Sequence, residues 1–369
     1  MKKLVIDASN IISGGGLTHL REFIKHTEPL KYNFVQVLLW APKKTLDKLP
    51  GKEWLNKKSH RFLNKGYLHR FLWRQFVLKP SLDEDTLLFI PGTGYVSGAG
   101  KVVTMCRNLL PLEMEEVNRY FFSRAWIRVV ILRFLHIQAY TKADGVIFLN
   151  EYCEKVTKKL IEDGKNTSAI IPHGVNTNFF FFRNEYKINN TFNLLYVSSL
   201  DLYKHQWKVA EAVAQLNNDG YDITLTLIGH SYNGTEEKLN KVIGDYPILS
   251  DKLDWKGAVD YEALPKYYKK NDAFIYASTC ETFGMTLLEA MASSLPIACS
   301  NKSSMEEMLK DAGIYFDPLS IEETKEAIMK LMNNRNLRER LGTKACRLAQ
   351  NYDWERCSKK TLQFLETVA

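Results

Sequence analysis

The segment AFIYASTCETFGMTLLEAMASSLPIACS, residues 273–300, has the pattern of a strand, a helix and a second strand. Residues 273–276 and 296–299 are short apolar runs, and the apolar stretch between them contains a predicted helix at 287–293. Continuous apolar strands that alternate with helices are typical of a parallel sheet covered on both faces. The segment therefore predicts one βαβ unit of an α/β fold.

The same alternation runs through the whole chain in two series, separated by a looser segment at residues 173–190. We expect two doubly wound, Rossmann-like domains, 1–175 and 176–351, with ligands in the cleft that the carboxyl ends of their strands face. The sequence alone leaves open whether the last helix, within 352–369, closes the second domain or joins the first, and we assign it to the first. The predicted strands are 4–6, 34–39, 87–90, 101–104, 145–149, 193–197, 223–228, 273–276, 296–299 and 314–316, and further helices are predicted at 205–217, 261–270, 321–333 and 336–350.

The composition is that of a globular protein. The chain has 369 residues, of which 45% are hydrophobic and 25% charged, and its formal net charge is +8. No apolar run is long enough to span a membrane, and the start lacks the features of a signal peptide. The six cysteines form no C-x-x-C pair and no metal-ligand spacing with histidine. We therefore expect a reduced, cytoplasmic protein.

Positive charge is concentrated in the first half of the chain. Residues 43–79 contain eleven Lys or Arg and two acids, and residues 119–142 contain five bases and no acid. Such a basic, aromatic region suits an anionic membrane or a nucleic acid, whereas an ordinary solvated face explains it equally well. Residues 120–137 are apolar almost all around a helical wheel, so we expect a partly buried helix there. Residues 54–79 are the better candidate for a membrane surface.

Two glutamates with seven residues between them, Glu281 and Glu289, flank the start of the helix predicted in the opening segment. Gly284 lets a backbone approach closely, and the free N–H groups of a helix start can face a phosphate. A carboxylate accepts hydrogen bonds from neighbouring hydroxyls, so the pair suits a ribose and a sugar ring. The alternative is a loop charge and a surface helix residue.

This segment resembles the E-x7-E signature of retaining GT-B glycosyltransferases, in particular family 4. Further segments are similar to elements of that family and follow in its order. They are the Gly14-Gly15-Gly16 loop, Ile171-Pro-His-Gly-Val175 between the domains, Tyr196–Gln206 after the first strand of the second domain, Trp255–Val259 beside the nucleotide base, and Asp311–Pro318.

The resemblance implies transfer of a sugar from a nucleotide-diphosphate donor with retention at the anomeric carbon. It places Lys204 on the diphosphate, Glu281 on the sugar and Glu289 on the ribose. Many relatives have an arginine at the position of Ser199. The source of a second cation for the diphosphate is therefore left open. The remaining donor contacts are expected from Gly15, Gly16, Val259, Phe283, Gly284, Met285 and Thr286.

Three residues of the first domain are expected near the cleft. Asn108 stands close to where many relatives have a sugar-contacting histidine, although it is equally explained as a loop residue that caps the following helix. Arg107 is a candidate for the missing cation. His173 is assigned to the interdomain hinge or cleft and not to a metal, because no second histidine lies near it in the sequence.

No D-x-D motif with a plausible metal cage is found, so we expect neither a metal nor another cofactor. The expected acceptor is a glycan or a lipid-linked glycan in cell-surface polysaccharide synthesis, at the inner face of the membrane, and no nucleic acid is expected. Two alternatives remain. One is a GT-B nucleotide-sugar epimerase, and the other is a non-catalytic module that binds glycan or nucleic acid.

Overall fold

The structure, a computed structural model, describes residues 2–161, 166–183 and 191–369. Part of the looser segment predicted at 173–190 therefore lies outside the described residues. The chain divides into two compact units. The first comprises Met1–Leu112, Ile127–Gly174 and Tyr352–Ala369, and the second comprises Glu113–Trp126 and Val175–Asn351.

The described residues contain thirteen strands in two parallel sheets. The strand order is β3-β2-β1-β4-β5-β6-β7 in the first unit and β10-β9-β8-β11-β12-β13 in the second. The strands are β1 Lys2–Asp7, β2 Phe34–Trp40, β3 Leu55–Lys58, β4 Thr86–Ile90, β5 Lys101–Met105, β6 Gly145–Phe148, β7 Thr167–Ile170, β8 Phe192–Val197, β9 Ile223–Ile228, β10 Leu253–Trp255, β11 Ala273–Tyr276, β12 Ile297–Ser300 and β13 Ile314–Phe316.

Helices connect the strands, as parallel pairing requires. The α-helices of the described ranges are α1 Gly14–His26, α2 Lys43–Leu46, α3 Tyr67–Trp73, α4 Met114–Asn118, α5 Arg124–Lys142, α6 Glu151–Lys158, α7 Gln206–Asn218, α8 Thr235–Asp245, α9 Leu249–Lys252, α10 Leu264–Lys270, α11 Met285–Ala292, α12 Met305–Leu309, α13 Ile321–Asn333, α14 Arg335–Ala349 and α15 Trp354–Val368.

Both sheets are buried on two faces, which confirms the predicted α/β class with two Rossmann-like units. Every residue of β4, β11 and β12 is buried. Side chains on both faces of a strand are apolar only when helices cover both faces. This is why continuous apolar runs predicted the central strands correctly.

Three strands were not predicted, and all three lie at an edge of a sheet: β3, β7 and β10. Their sequences, Leu-Asn-Lys-Lys, Thr-Ser-Ala-Ile and Leu-Asp-Trp, are polar or mixed. Each of these strands has one unpaired side and is partly exposed, and none carries a continuous apolar run, unlike the fourth edge strand, β13, which is Ile-Tyr-Phe and was predicted. The pattern that marks central strands is therefore absent from these three.

Two helices can be compared with their predictions. Helix α1 begins at Gly14, so Gly14–Gly16, which were expected as a loop, form its first turn. Helix α5 is partly buried, as predicted, whereas Ile127, Ile131 and Phe134 on its other side are more than half exposed. An apolar stripe at helical spacing does not reveal by itself which side faces the core.

The two ends of the described chain meet in the first unit. Helix α15 packs on α1, and Asn33 donates a hydrogen bond to Glu366 at 2.6 Å. The approach at the start of α15 is close, because a Cβ added to Gly174 would lie 2.3 Å from the Trp354 nitrogen.

Residues 113–126 belong to the second unit, although the predicted boundary placed them in the first. The physical reason is a pair of polar contacts. The Tyr120 hydroxyl donates to Asp201 at 2.6 Å, and the Thr279 hydroxyl donates to Glu116 at 2.7 Å.

In the part of the chain that the structure describes, no helix combines the length and the apolar character needed to cross a bilayer.

The loops that follow β8 and β9 approach each other closely at Gly229. This residue has φ +147°, and a Cβ there would lie 2.0 Å from the Ser198 carbonyl oxygen. Its N–H donates to the Gly257 carbonyl at 2.7 Å. Only glycine fits this approach, which fixes the loops at the carboxyl ends of three neighbouring strands.

We predict that Gly229→Ala lowers the free energy of unfolding by about 2 kcal/mol or more, because the added methyl group must displace backbone. The matched control is Gly244→Ala in α8, where nothing lies within 4 Å of the new Cβ. It should be neutral or slightly stabilising, since alanine favours a helix over glycine. Urea unfolding of both variants tests this, and equal stabilities would contradict it.

Candidate functional site

The candidate site of the second unit is formed by the loops that follow β8 and β11, which are neighbours in the sheet. The Thr279 N–H donates to the Tyr203 carbonyl at 2.8 Å, so the two loops are bonded to each other. The Tyr196 hydroxyl donates to the Lys204 carbonyl at 2.6 Å and accepts from the Ala277 N–H at 3.2 Å. The carboxyl edge of the sheet is thus tied together beneath Lys204.

Lys204 and Glu281, which the sequence predicted as site residues, form a buried ion pair in the structure. The Lys204 ammonium donates to Glu281 Oε1, and the Tyr276 hydroxyl donates to the same oxygen. The ammonium also lies 3.4 Å from the Tyr276 hydroxyl oxygen and 4.9 Å from the centre of the Tyr203 ring. One cation, one carboxylate and two aromatic rings therefore share this end of the sheet.

Burial governs the charge of Lys204, whose exposed fraction is 6%. Burial lowers the pKa of its ammonium to about 7, and Cys280 and Asp201 act in the opposite direction. The contact with the Glu281 carboxylate also favours the charged form. The positive charge of Lys204 thus depends on the acids around it.

The backbone of Glu281 is fixed by the loop that follows β12. Its N–H donates to the Ser303 hydroxyl at 2.9 Å, and its carbonyl accepts from the hydroxyls of Ser303 and Ser304 at 3.0 and 2.9 Å. The carboxylate therefore projects from a loop held on both sides.

Glu289 lies one turn inside α11 and is 2% exposed. The Tyr268 hydroxyl donates to Glu289 Oε2 at 2.9 Å and is also within 3.1 Å of the Thr286 carbonyl oxygen. Burial raises the pKa of the Glu289 carboxyl to about 8, against the hydrogen bonds from Tyr268 and Tyr261. Glu289 is thus a buried acid whose carboxyl group is hydrogen-bonded to tyrosine hydroxyls.

Helix α11 begins directly after Gly284, which has φ +76°. No acidic side chain lies in its first turn and no side chain caps its start. Thr286 contacts Tyr276 through its side chain, and that tyrosine contacts Glu281. The helix start and the Lys204–Glu281 pair are therefore parts of one polar network. Of the other predicted donor residues here, Met285 is partly exposed and Phe283 is buried.

Ser199 and Val259 lie in neighbouring loops of the second unit. The Ser199 carbonyl accepts a hydrogen bond from the Gln206 side chain at 2.9 Å, which ties the loop after β8 to the first turn of α7. Val259 is partly exposed in the loop between β10 and α10.

The first unit places Arg107 against the first turn of α1. A Cβ added to Gly16 would lie 3.0 Å from Arg107 Nη1, and that nitrogen donates to the Pro91 carbonyl at 3.1 Å. Burial lowers the pKa of Arg107 to about 10, so the guanidinium stays charged at neutral pH. Gly15 and Gly16 thus present the amino end of a helix beside a cation.

Asn108 follows Arg107 in the sequence, and its side chain bonds within its own loop. It is exposed, and its side-chain oxygen accepts from the Leu110 N–H at 3.2 Å. This hydrogen bond closes a turn in the loop and does not cap the following helix, because α4 begins only at Met114.

His173 is 2% exposed, so its side chain lies inside the first unit and not on an open surface. Its ring is 4.6 Å from that of His19 and 5.5 Å from that of Trp354. A second histidine therefore lies beside it in space, contrary to the sequence-based argument. Ligand atoms of His19, His173 and Cys357 all lie within 4.8 Å of one another and could hold a metal ion.

Sequence reasoning missed the tyrosines of the second unit. Tyr276 and Tyr268 each donate to one of the paired glutamates, and Tyr203 lies beneath the ammonium of Lys204. A tyrosine at the last position of a predicted apolar strand was the available signal for Tyr276. Tyr268 and Tyr203 carry no comparable mark, since their role depends on contacts between distant segments.

We predict that Glu289→Gln becomes more stable relative to the wild type as pH rises. The pKa of Glu289 is raised from 4.5 to about 8 in the folded protein, so the unfolded chain releases this proton first and wild-type stability falls across that range. Gln keeps an acceptor for Tyr268 and has no proton to lose. The stability difference should change by about 2 to 4 kcal/mol between about pH 5 and pH 8.5 in urea unfolding.

The control for this pH dependence is Glu326→Gln, at an exposed position of α13. Its stability difference from the wild type should stay constant over the same range. An equally constant difference for Glu289→Gln would show that this acid is ionised in the folded protein throughout.

A family model described as glycosyl transferases group 1 matches residues 178–347. Among curated proteins, the chain is 29% identical over 136 residues to O-antigen chain mannosyltransferase B of Escherichia coli, a match over 37% of this chain and 36% of that protein. It is 31% identical over 216 residues to a probable sucrose-phosphate synthase of Thermosipho melanesiensis, over 55% and 48% of the two chains. The matches thus span less than half of either relative.

Among solved structures, the HepE protein of Anabaena in complex with UDP-glucose superposes with a TM-score of 0.74 at 16% identity, over 100% of both chains. This likeness shows the fold. Residues 178–347 thus match the group 1 glycosyltransferase family, and the two parallel α/β units have the GT-B fold.

Proposed function

We propose that this chain is a retaining glycosyltransferase of family 4 that moves a sugar from a nucleotide-diphosphate donor to a glycan or lipid-linked glycan. The observation that carries the proposal is the buried Lys204–Glu281 pair at the carboxyl ends of β8 and β11, connected through Tyr276 to the start of α11. Ligands of doubly wound sheets bind at this edge.

The donor diphosphate is proposed to bind Lys204 and the first amides of α11, from Gly284 to Thr286. The helix start has no side-chain cap and no acid, so its N–H groups and dipole favour an anion. Diphosphate would add negative charge beside Lys204 and raise its pKa from about 7. Donor binding and protonation of Lys204 would then reinforce each other.

The two glutamates are proposed to bind the groups on either side of the diphosphate. Glu281 would orient the transferred sugar and Glu289 the ribose, by accepting hydrogen bonds from hydroxyls. Glu289 already accepts a hydrogen bond from the Tyr268 hydroxyl. A ribose hydroxyl would replace that hydrogen bond or add a second one. Phe283, Met285 and Val259 would line the donor.

Retention is proposed to follow a front-face displacement assisted by the departing phosphate. Glu281 is paired with Lys204, and Glu289 is a buried acid bonded to the Tyr268 hydroxyl, which suits positioning better than nucleophilic attack. Catalysis would then rest on orientation and on the stabilisation of charge on the leaving group. We propose no metal or other cofactor for this step.

The first unit is proposed to contribute a further phosphate contact at Gly15, Gly16 and Arg107. The guanidinium lies against the first turn of α1, where a cation and helix amides together favour an anion. Arg107 would supply the charge that Ser199 lacks. Asn108 is retained as a candidate for the acceptor or the sugar, since its side chain is exposed.

The acceptor is proposed to belong to cell-surface polysaccharide synthesis at the inner face of the membrane. The support is the similarity to a protein named O-antigen chain mannosyltransferase B. UDP and UDP-glucose are the first donor probes, because the HepE structure that superposes on this chain contains UDP-glucose.

We predict that Lys204→Gln lowers the rate of glycosyl transfer by about 10²- to 10³-fold, as expected for loss of a charge contact to the leaving group. The thermal stabilisation by UDP or another nucleoside diphosphate should also decrease, measured against the variant's own melting temperature. Lys241→Gln, at an exposed ion pair of α8, is the control and should retain both.

Three outcomes separate the alternatives. Epimerised donor without transfer, on incubation with the nucleotide-sugar alone, would favour the epimerase. Unchanged glycan binding in Lys204→Gln without any turnover in the wild type would favour a binding module. Unchanged turnover in Lys204→Gln would remove Lys204 from the proposed mechanism.

We further predict that Arg107→Gln weakens donor binding by about tenfold, since a charged hydrogen bond contributes roughly 1.5 kcal/mol or more. Arg61→Gln, an exposed arginine elsewhere in the first unit, is the control. Isothermal titration with the donor measures both, and equal affinities would show that Arg107 only supports the turn at Gly16.

A further inference from the structure

Two helices of the first unit expose apolar side chains that together form what we call the α3–α5 face. It consists of seven residues whose exposed fractions range from 51% to 68%: Tyr67, Leu68, Phe71, Ile127, Ile131, Phe134 and Leu135. Single exposed apolar residues are ordinary on protein surfaces, whereas a contiguous group marks a binding surface.

The pattern along α5 shows that this exposure is organised. Its four exposed apolar residues are spaced i, i+4, i+7 and i+8, which is the apolar stripe of an amphipathic helix. The buried residues of α5 that anchor it in the unit include Val129, His136 and Tyr140. Helix α5 therefore has one buried side and a second apolar side that faces solvent.

Tyr67 joins the two helices into one surface. The Arg128 guanidinium of α5 lies 5.5 Å from the centre of the Tyr67 ring, and its Nη2 is 3.4 Å from the Tyr67 hydroxyl. Arg70 of α3 lies 5.8 Å from the same ring. Two arginines are thus fixed beside the exposed aromatic and aliphatic side chains.

The charged residues of α3, of α5 and of the turn before α3 are all basic. Arg61, Lys65 and Arg128 are exposed and Arg70 is partly exposed. No acid occurs between Glu53 and Asp83 or between Glu116 and Asp144, so neither helix carries an acid of its own. An apolar surface on two helices whose charges are all basic is complementary to a layer that is apolar inside and anionic at its boundary.

We propose that the α3–α5 face binds the surface of an anionic phospholipid bilayer. The aromatic and aliphatic side chains enter the headgroup region, and the arginines and lysine contact lipid phosphates. Binding of this kind needs no helix that crosses the membrane, and it does not depend on the proposed transferase activity.

Two other occupants fit the face less well. A second copy related by a twofold axis would bring arginines against arginines, with no acid on either helix to compensate them. A nucleic acid would use the charges and the aromatic rings, but it would leave the aliphatic side chains Leu68, Ile127, Ile131 and Leu135 without an apolar partner. The lipid bilayer uses both the charge and the apolar side chains.

The experiment is cosedimentation of the full chain with vesicles of phosphatidylcholine containing about 30% phosphatidylglycerol, compared with phosphatidylcholine alone. Leu68→Ser/Phe71→Ser tests α3 and Ile131→Ser/Phe134→Ser tests α5. The matched control is Leu30→Ser/Val35→Ser, at exposed apolar positions of the same unit outside the face. Unfolding curves establish that each variant is folded.

We expect the wild type and the control to bind anionic vesicles, and each test variant to bind roughly tenfold or more weakly. Binding of the wild type should weaken at high salt and be much lower on neutral vesicles. Wild-type affinity of both test variants would overturn the proposal. The proposal would also be overturned if the wild type formed a dimer that is lost only in the test variants. It would be overturned as well if the wild type bound RNA and not vesicles. Failure here would leave the nucleotide-binding predictions untouched.

Discussion

The candidate site of the second unit depends on the ion pair between Lys204 and Glu281. Two charges placed in a protein interior are costly unless each has a partner and the remaining polar atoms are satisfied. Lys204 has Glu281 and the faces of two tyrosines, while Glu281 has Lys204 and the Tyr276 hydroxyl. The pair therefore holds the loops after β8 and β11 in one arrangement.

The parallel sheet is what brings these residues together. Lys204 and Glu281 are separated by 77 residues in sequence, yet each follows a strand, and β8 and β11 are adjacent. The carboxyl ends of parallel strands meet at one edge. The glycines at 229 and 284 then allow the backbone approaches and the helix start that shape this edge.

Much of the fold follows from the sequence because central strands are buried on both faces and show continuous apolar runs. The edge strands β3, β7 and β10 lack that pattern. A helix that is apolar almost all around, such as α5, does not reveal from its sequence which side faces solvent. For the candidate site, the family resemblance singled out Lys204, Glu281 and Glu289. It did not reveal Tyr268 or Tyr203, because those contacts join segments that are distant in sequence.

The first unit is discontinuous, since α15 packs on α1 while the residues of the second unit lie between them in sequence. During synthesis the ribosome releases nearly all of the second unit before α15 exists. The second unit can therefore reach its native packing first. Until α15 is synthesised, the surface of α1 that packs on α15 stays exposed. The completion of the first unit is consequently the later event in the biogenesis of this chain, and the period before it is when α1 is open to chaperones.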